Sequence, residues 1–220
     1  MKEILTCEKL IKTTKEFCII ERKINFPELI GIDNGKTIGN HVERRLKNYL
    51  TERFDIPVGN SASGIDLPSP DINTDIKATS IKQPQSSCPF ADARQKIFGL
   101  GYNILVLVYD KIDAPDSCYL EFFNCTFIEN SRTADYTVTK RILEMLKDGA
   151  NKEDIIGYFI DKSIPGDEIT LSQLADEVLM KGVQQGYLTI SNALQWRLQY
   201  GRVIALSNSV SGVTNYDIDR

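Results

Sequence analysis

Residues 103–109 read NILVLVY, a continuous apolar run of strand length. An apolar segment this short, with no polar residue at alternate positions, is the pattern of a strand covered on both faces. Such a strand can exist only inside a sheet with a further layer on each side, so the rest of the chain must supply those layers. The stretch 118–128 (CYLEFFNCTFI) is also β-rich and is expected to pair with it. With 220 residues, 42% of them hydrophobic, the chain can bury about 70% of its unfolded surface around such a core.

Helical signals precede the run. Between Thr37 and Phe54 the apolar positions Ile38, Val42, Leu46, Tyr49 and Leu50 recur at three and four residues, which predicts an amphipathic helix. Residues 1–30 read as helical and broken by Pro27, and a turn follows at Gly31–Lys36. From Phe54 to Asp92 the chain is punctuated by glycine and proline, as strands and turns are. Ala91–Leu100 predicts a short helix opened near Asp92 and closed by Gly99 or Gly101. The order helix, strands, helix, strand, strand predicts an α/β (α+β) fold.

Beyond Arg132 helices are expected over 138–147, 152–159, 171–183 (capped by Thr170 or Ser172) and 192–200, then a short strand over 202–206. Residues 1–135 are accordingly read as the core unit and 136–206 as a helical C-terminal region. The remaining residues, 207–220, read as a loosely held tail.

Several function classes fall away early. No run approaches the 18 apolar residues of a membrane span, and the first residues do not form a signal peptide, so a soluble cytoplasmic protein is expected. The five cysteines, Cys7, Cys18, Cys88, Cys118 and Cys125, are scattered without CxxC pairs, and are expected to be reduced and mostly buried. His41 is the sole histidine, which leaves little material for a histidine metal site or a Ser-His-Asp triad. It is read as a helix-face residue near DNA or solvent. Neither GxxxxGK[ST] nor GxGxxG occurs. The net charge of −4 excludes a general polycation, though not a local basic face.

Chemistry concentrates in residues 64–79, GIDLPSPDINTDIKAT. With Pro68–Asp71 as a four-residue hairpin loop, Leu67 lies opposite Ile72, and Asp75 becomes the diagonal neighbour of Asp66, about 7 Å away. Alternation places Asp66, Asn73, Asp75, Lys77 and Thr79 on one face and Ile65, Leu67, Ile72, Thr74, Ile76 and Ala78 on the core face. Two carboxylates and an ammonium gathered on a strand are costly unless a cation offsets the desolvation. Mg²⁺ takes oxygen ligands and keeps several waters. It can polarise a phosphodiester and acidify a bound water while the lysine orients that water.

Asp66, followed by Asp75-Ile76-Lys77, resembles the bipartite motif of the PD-(D/E)xK nuclease superfamily, type II restriction endonucleases in particular. The resemblance spans the chain up to about Ile128. It implies a central mixed β-sheet flanked by helices, with the first acid on a hairpin, the second acid and lysine on the next strand, and a further Glu upstream. It also implies Mg²⁺ held by Asp66, Asp75 and the Ile76 carbonyl, with Lys77 placing the attacking water. Glu43, on the helix upstream, matches the additional acid and would support a water or a second ion; its other reading is an i,i+4 pair with Lys47. The literal Pro70-Asp71 stands only four residues before Asp75, about 13 Å along a strand, so Asp66 is taken as the first acid and Asp71 as a turn residue.

Double-stranded DNA is the partner this implies. Lys82, Gln83 and Gln85 lie in a polar loop suited to phosphates and adenine edges, and Arg94 and Lys96 extend a basic strip. The helices expected at 171–183 and 192–200, with a wing after them, resemble a winged helix. Gln195, Arg197, Gln199 and Arg202 would then face a groove; the other reading of this region is structural or dimerising, with Ala175, Val178, Leu179, Leu194 and Leu198 as packing and Trp196 as an anchor in a core or dimer contact. Two active sites related by a two-fold axis match a palindrome, so a homodimer cutting one strand per subunit is expected. The alternatives are a repair or junction-resolving nuclease of the same superfamily, and a non-enzymatic winged-helix transcription regulator.

Overall fold

The computed structural model describes residues 2–56, 64–87, 92–191, 196–206 and 208–218. Within them the chain runs β1 (Glu3–Ile4), α1 (Cys7–Glu21), α2 (Gly35–Arg53), β2 (Phe54–Asp55), β3 (Thr74–Ser80), β4 (Gln85–Ser87), α3 (Ala93–Phe98), β5 (Asn103–Ala114) and β6 (Ser117–Ile128). It continues as α4 (Tyr136–Lys147), α5 (Lys152–Asp161), α6 (Glu168–Lys181), β7 (Thr189–Ile190), β8 (Arg197–Gln199), α7 (Gly201–Ile204) and β9 (Val213–Asp217).

The apolar run is the first half of β5, and Ile104 to Val108 are all at 0% exposure. β5 lies inside a mixed four-stranded sheet of order β3-β5-β6-β9. β3 pairs with it in parallel, while β6 and β9 continue the sheet antiparallel. Alternate residues of β5 serve two cores. Leu105, Leu107 and Tyr109 join Ile76 and Ala78 of β3 under α1 and α2, where Phe17, Val42 and Leu46 are buried. Ile104, Val106 and Val108 meet Leu188, Ile190, Leu198, Tyr200 and Val203 on the opposite face. A third core joins α3 to α4, α5 and α6 through Ile97, Ile142, Phe159, Leu174 and Val178.

Helix starts follow side-chain chemistry. Thr6, Asn34, Asp92, Asp135, Asn151 and Asp167 each accept a backbone N–H of the helix they open, a cap of about 1 kcal/mol each. Asp167 captures the Thr170 N–H, so α6 begins ahead of the Thr170 or Ser172 cap read from sequence. Asp135 does more than cap. Its second oxygen accepts the Ile190 N–H at 2.8 Å, and this ties the helical region to the smaller sheet β4-β8-β7.

Three expectations are corrected. The helix expected at 192–200 is, where described, the strand β8, because Trp196, Leu198 and Tyr200 are buried in alternation with Arg197 and Gln199. Residues 192–195 lie outside the described residues. The strand expected at 202–206 is instead the short helix α7. A winged helix therefore has no second helix at 197–199. The tail, lastly, carries β9, which pairs with β6 in the main sheet. Cys18, Cys118 and Cys125 are buried free thiols and Cys7 is half-buried and free; Cys88 lies outside the described residues.

Candidate active site

β3 is the edge of the main sheet, and an edge strand leaves backbone groups unpaired along its open side. Here two carboxylates take them. Asp66 Oδ2 accepts the Ile76 N–H at 2.9 Å, and Glu43 Oε1 accepts the Ala78 N–H at 3.1 Å. Glu43 can reach because α2 crosses β3 at Gly39, where a Cβ would stand 2.9 Å from the Ala78 carbonyl oxygen. Asp66 reaches from the hairpin. Leu67 and Thr74 exchange two backbone hydrogen bonds of 3.0 Å, and Ser69 O accepts from both Ile72 and Asn73 within the turn, with Asn73 at φ 34°. The turn thus runs two residues longer than read from sequence. Asp66 falls directly opposite Asp75 rather than diagonal to it.

The charges interlock. Lys77 Nζ lies 2.8 Å from Asp75 and Lys47 Nζ lies 2.7 Å from Asp66. Burial and the adjoining Asp66 carboxyl, which hydrogen-bonds it, push Asp75 up to about 6 against the pull of Lys77. Asp66 moves the other way. Its burial is outweighed by the Lys47 hydrogen bond and the Ile76 N–H, and its carboxyl is held below the usual range. Burial raises Glu43, with Lys77 and the Ala78 N–H opposing. Lys77 loses solvation as well, yet Asp75, Glu43 and Asp66 together lift it above the usual lysine value. One more carboxylate than ammonium at this locus makes room for a cation.

Glu43, Asp66, Asp75 and Lys77, all named from sequence, are thus gathered at one stretch of β3. The pairing of Glu43 with Lys47 is not found. Lys47 instead holds Asp66, and sequence reasoning missed that role. The signal was present: Lys36, Asn40, Glu43 and Lys47 recur at four, three and four residues, one polar stripe along α2. Asp71 stays exposed in the turn. The Ile76 side chain is in the core, so only its backbone can serve the site. His41 is no ligand here: it is buried edge-on to Phe26, with burial lowering its pKa. Among the described residues no group of three or more His, Cys, Asp or Glu side chains converges as a metal cage.

A groove of about 1070 Å³ opens beside these residues. Its walls include Lys36, Asn40 and Glu43 of α2, Lys77 and Thr79 of β3, Lys82, Gln83, Gln85 and Ser87, and Arg197 of β8. Four of the residues read as DNA contacts, Lys82, Gln83, Gln85 and Arg197, therefore line it. Arg94 and Lys96 do not. Arg94 pairs with Glu177 at 2.6 Å, and Lys96 is 3% exposed with its Nζ on the Ile190 carbonyl at 2.9 Å, spent on holding α3 to β7. Gln195 lies outside the described residues. Arg202 stacks on Tyr136, 3.7 Å from the ring centre. Among the described residues no helix is long and apolar enough to cross a membrane.

Comparison with known proteins bears on what this groove serves. The family model described as type II restriction enzyme NspV matches residues 4–215. A curated protein named type II restriction enzyme NspV, from Nostoc sp. (strain ATCC 29411 / PCC 7524), is 46% identical over 212 residues, covering 96% of each chain. No solved structure matches the chain. An enzyme, rather than a ligand-sensing regulator, is what these matches describe. Spanning nearly the whole chain as they do, they establish that the protein belongs to the type II restriction enzyme NspV family and is a site-specific deoxyribonuclease.

Proposed function

We propose that the protein is a Mg²⁺-dependent endonuclease of the PD-(D/E)xK kind, hydrolysing phosphodiester bonds at a short palindromic site in double-stranded DNA as a homodimer. The observation that carries this reading is the locus on β3, where Asp66 and Asp75 oppose each other across a tight turn with Lys77 2.8 Å from Asp75, beside a groove.

The donor set suits a hard cation. Two carboxyls meet with a surplus of negative charge, and Mg²⁺ completes its shell with water rather than with a full protein cage. Asp66, Asp75 and the Ile76 carbonyl would hold it. When bound, the ion supplies Lewis acidity to the scissile phosphate and lowers the pKa of a water. The chain's own groups do the rest. Lys77, kept protonated by three carboxylates, orients the attacking water and offsets charge on the pentacovalent phosphorus. Glu43, raised by burial, supports a water or a second ion beside it. Lys47 fixes the Asp66 rotamer.

Incubation with phage DNA tests the reading. Discrete fragments are expected with Mg²⁺ and none with EDTA; nicking without fixed sites, or a preference for branched DNA, would favour the repair-type alternative. The variant Lys77→Ala is expected to keep specific duplex binding in a mobility shift while losing cleavage by 100-fold or more, in the range of lost electrostatic stabilisation. A Lys77→Ala protein that still cuts overturns the assignment.

A further inference from the structure

We infer that the base-reading surface is the outward face of the sheet β4-β8-β7, with Gln85, Gln199 and Arg197 as the specificity-determining side chains toward purine edges of the duplex. This rests on the nuclease reading above and deepens it.

Strand register defines the face. Gln85 lies opposite Gln199, which lies opposite Thr189, and Ser87 lies opposite Arg197. Directly opposed residues of antiparallel strands share a side, so these side chains form two polar rows. The reverse side is packed: Leu198 and Ile190 are buried in the core over β5, and Ser86 Oγ meets the buried Tyr200 hydroxyl at 2.6 Å. The sheet is therefore a plate with one packed side and one polar side.

Three side chains of the polar side are unspent among the described residues. No hydrogen bond or ion pair joins the side chains of Gln85, Gln199 or Arg197 to another described residue, and no acid stands in either row. Amide and guanidinium groups left open on a plate fit base edges: glutamine matches adenine N6 and N7, arginine matches guanine O6 and N7, and a β-ribbon enters a major groove about 12 Å wide. Gln85 and Arg197 line the same groove as Glu43 and Lys77.

The plate is also fixed to the cutting strand. Thr79 Oγ1 accepts the Gln85 N–H at 3.0 Å, and the Tyr200 N–H donates to the Pro84 carbonyl at 2.8 Å. Thr79 is two residues from Lys77, about 7 Å along the strand. The reading side chains thus stand within a few base steps of the bond to be broken, each step about 3.4 Å.

The test is cleavage of a duplex library randomised around the wild-type site, read by sequencing the cut ends. Arg197→Ala, Gln85→Ala and Gln199→Ala are each expected to relax one symmetric position by about 10- to 100-fold, the worth of one bidentate base contact, with the other positions unchanged. Lys82→Ala, at the groove rim, should slow cleavage of all sequences alike. Variants that cut too slowly are read by competition binding of the same library without Mg²⁺. Any variant whose circular dichroism melt shows it unfolded is replaced by its conservative form, Arg197→Lys, Gln85→Asn or Gln199→Asn. Unchanged position profiles in all three folded variants overturn the inference, whereas a wild-type protein that cuts no fixed site overturns the nuclease reading instead.

Discussion

Asp75 sets the energetics of the site at the scale of one residue. Its carboxyl is raised from its ordinary 3.8 to about 6, first by burial and then by its neighbour Asp66. The folded form therefore binds more protons than the unfolded form between those values, and stability falls as pH rises through that window. At 1.36 kcal/mol per pH unit the cost above pH 6 is about 3 kcal/mol at most. The variant Asp75→Asn has no charge to desolvate there. Urea unfolding at pH 8 in EDTA should show it more stable than wild type by about 1–3 kcal/mol, the gain fading by pH 4, while cleavage is lost. Equal stability at pH 8 would mean that burial and Asp66 do not raise the Asp75 carboxyl. That Asp66, Asp75 and Lys77 share one face was readable from hairpin and strand periodicity, which are local, although the turn is two residues longer than that periodicity gave. The partner of Lys47 is set by where α2 crosses β3, and a helix-local rule pointed to Glu43.

At the element scale, α2 and β3 work as one unit because Gly39 lets them touch. A Cβ there would meet the Ala78 carbonyl oxygen at 2.9 Å, and backbone cannot yield as a side-chain tip does. Gly39→Ala should therefore cost about 1–3 kcal/mol in a denaturant melt and reduce cleavage by withdrawing Glu43 from Ala78. Gly157, exposed within α5 with nothing inside 4 Å, is the contrast. Gly157→Ala should stabilise by about 0.5–1 kcal/mol through helix propensity and leave cleavage unchanged. The same scale shows why some elements were read correctly and others were not. The 3.6-residue stripe of α2 and the solid apolar run of β5 carry one period each. Trp196, Leu198 and Tyr200 alternate as a strand does, but they follow a run with helical composition, and pairing with β4 decides the matter across more than a hundred residues of chain. Long-range pairing of this kind overrides local preference.

For the whole molecule, a net charge of −4 means that duplex capture depends on where the cations stand. Lys36, Lys82 and Arg197 are placed around one groove, so binding should weaken steeply with salt even though the protein is acidic overall. Beside that groove one chain carries a single set of Asp66, Asp75 and Lys77, which in the proposed reaction serves one strand. A palindrome repeats its sequence on the second strand, and a second copy related by a two-fold axis presents the same set to it. The proposed homodimer therefore makes a distinctive demand on mixtures. Wild type and Lys77→Ala chains co-expressed with the variant in excess would form mixed dimers that carry one working site. On a supercoiled plasmid with a single recognition site these should accumulate nicked circles, because the strand facing the variant subunit stays whole. Chains acting singly would instead rebind and cut the second strand, giving linear plasmid at a rate reduced only by dilution.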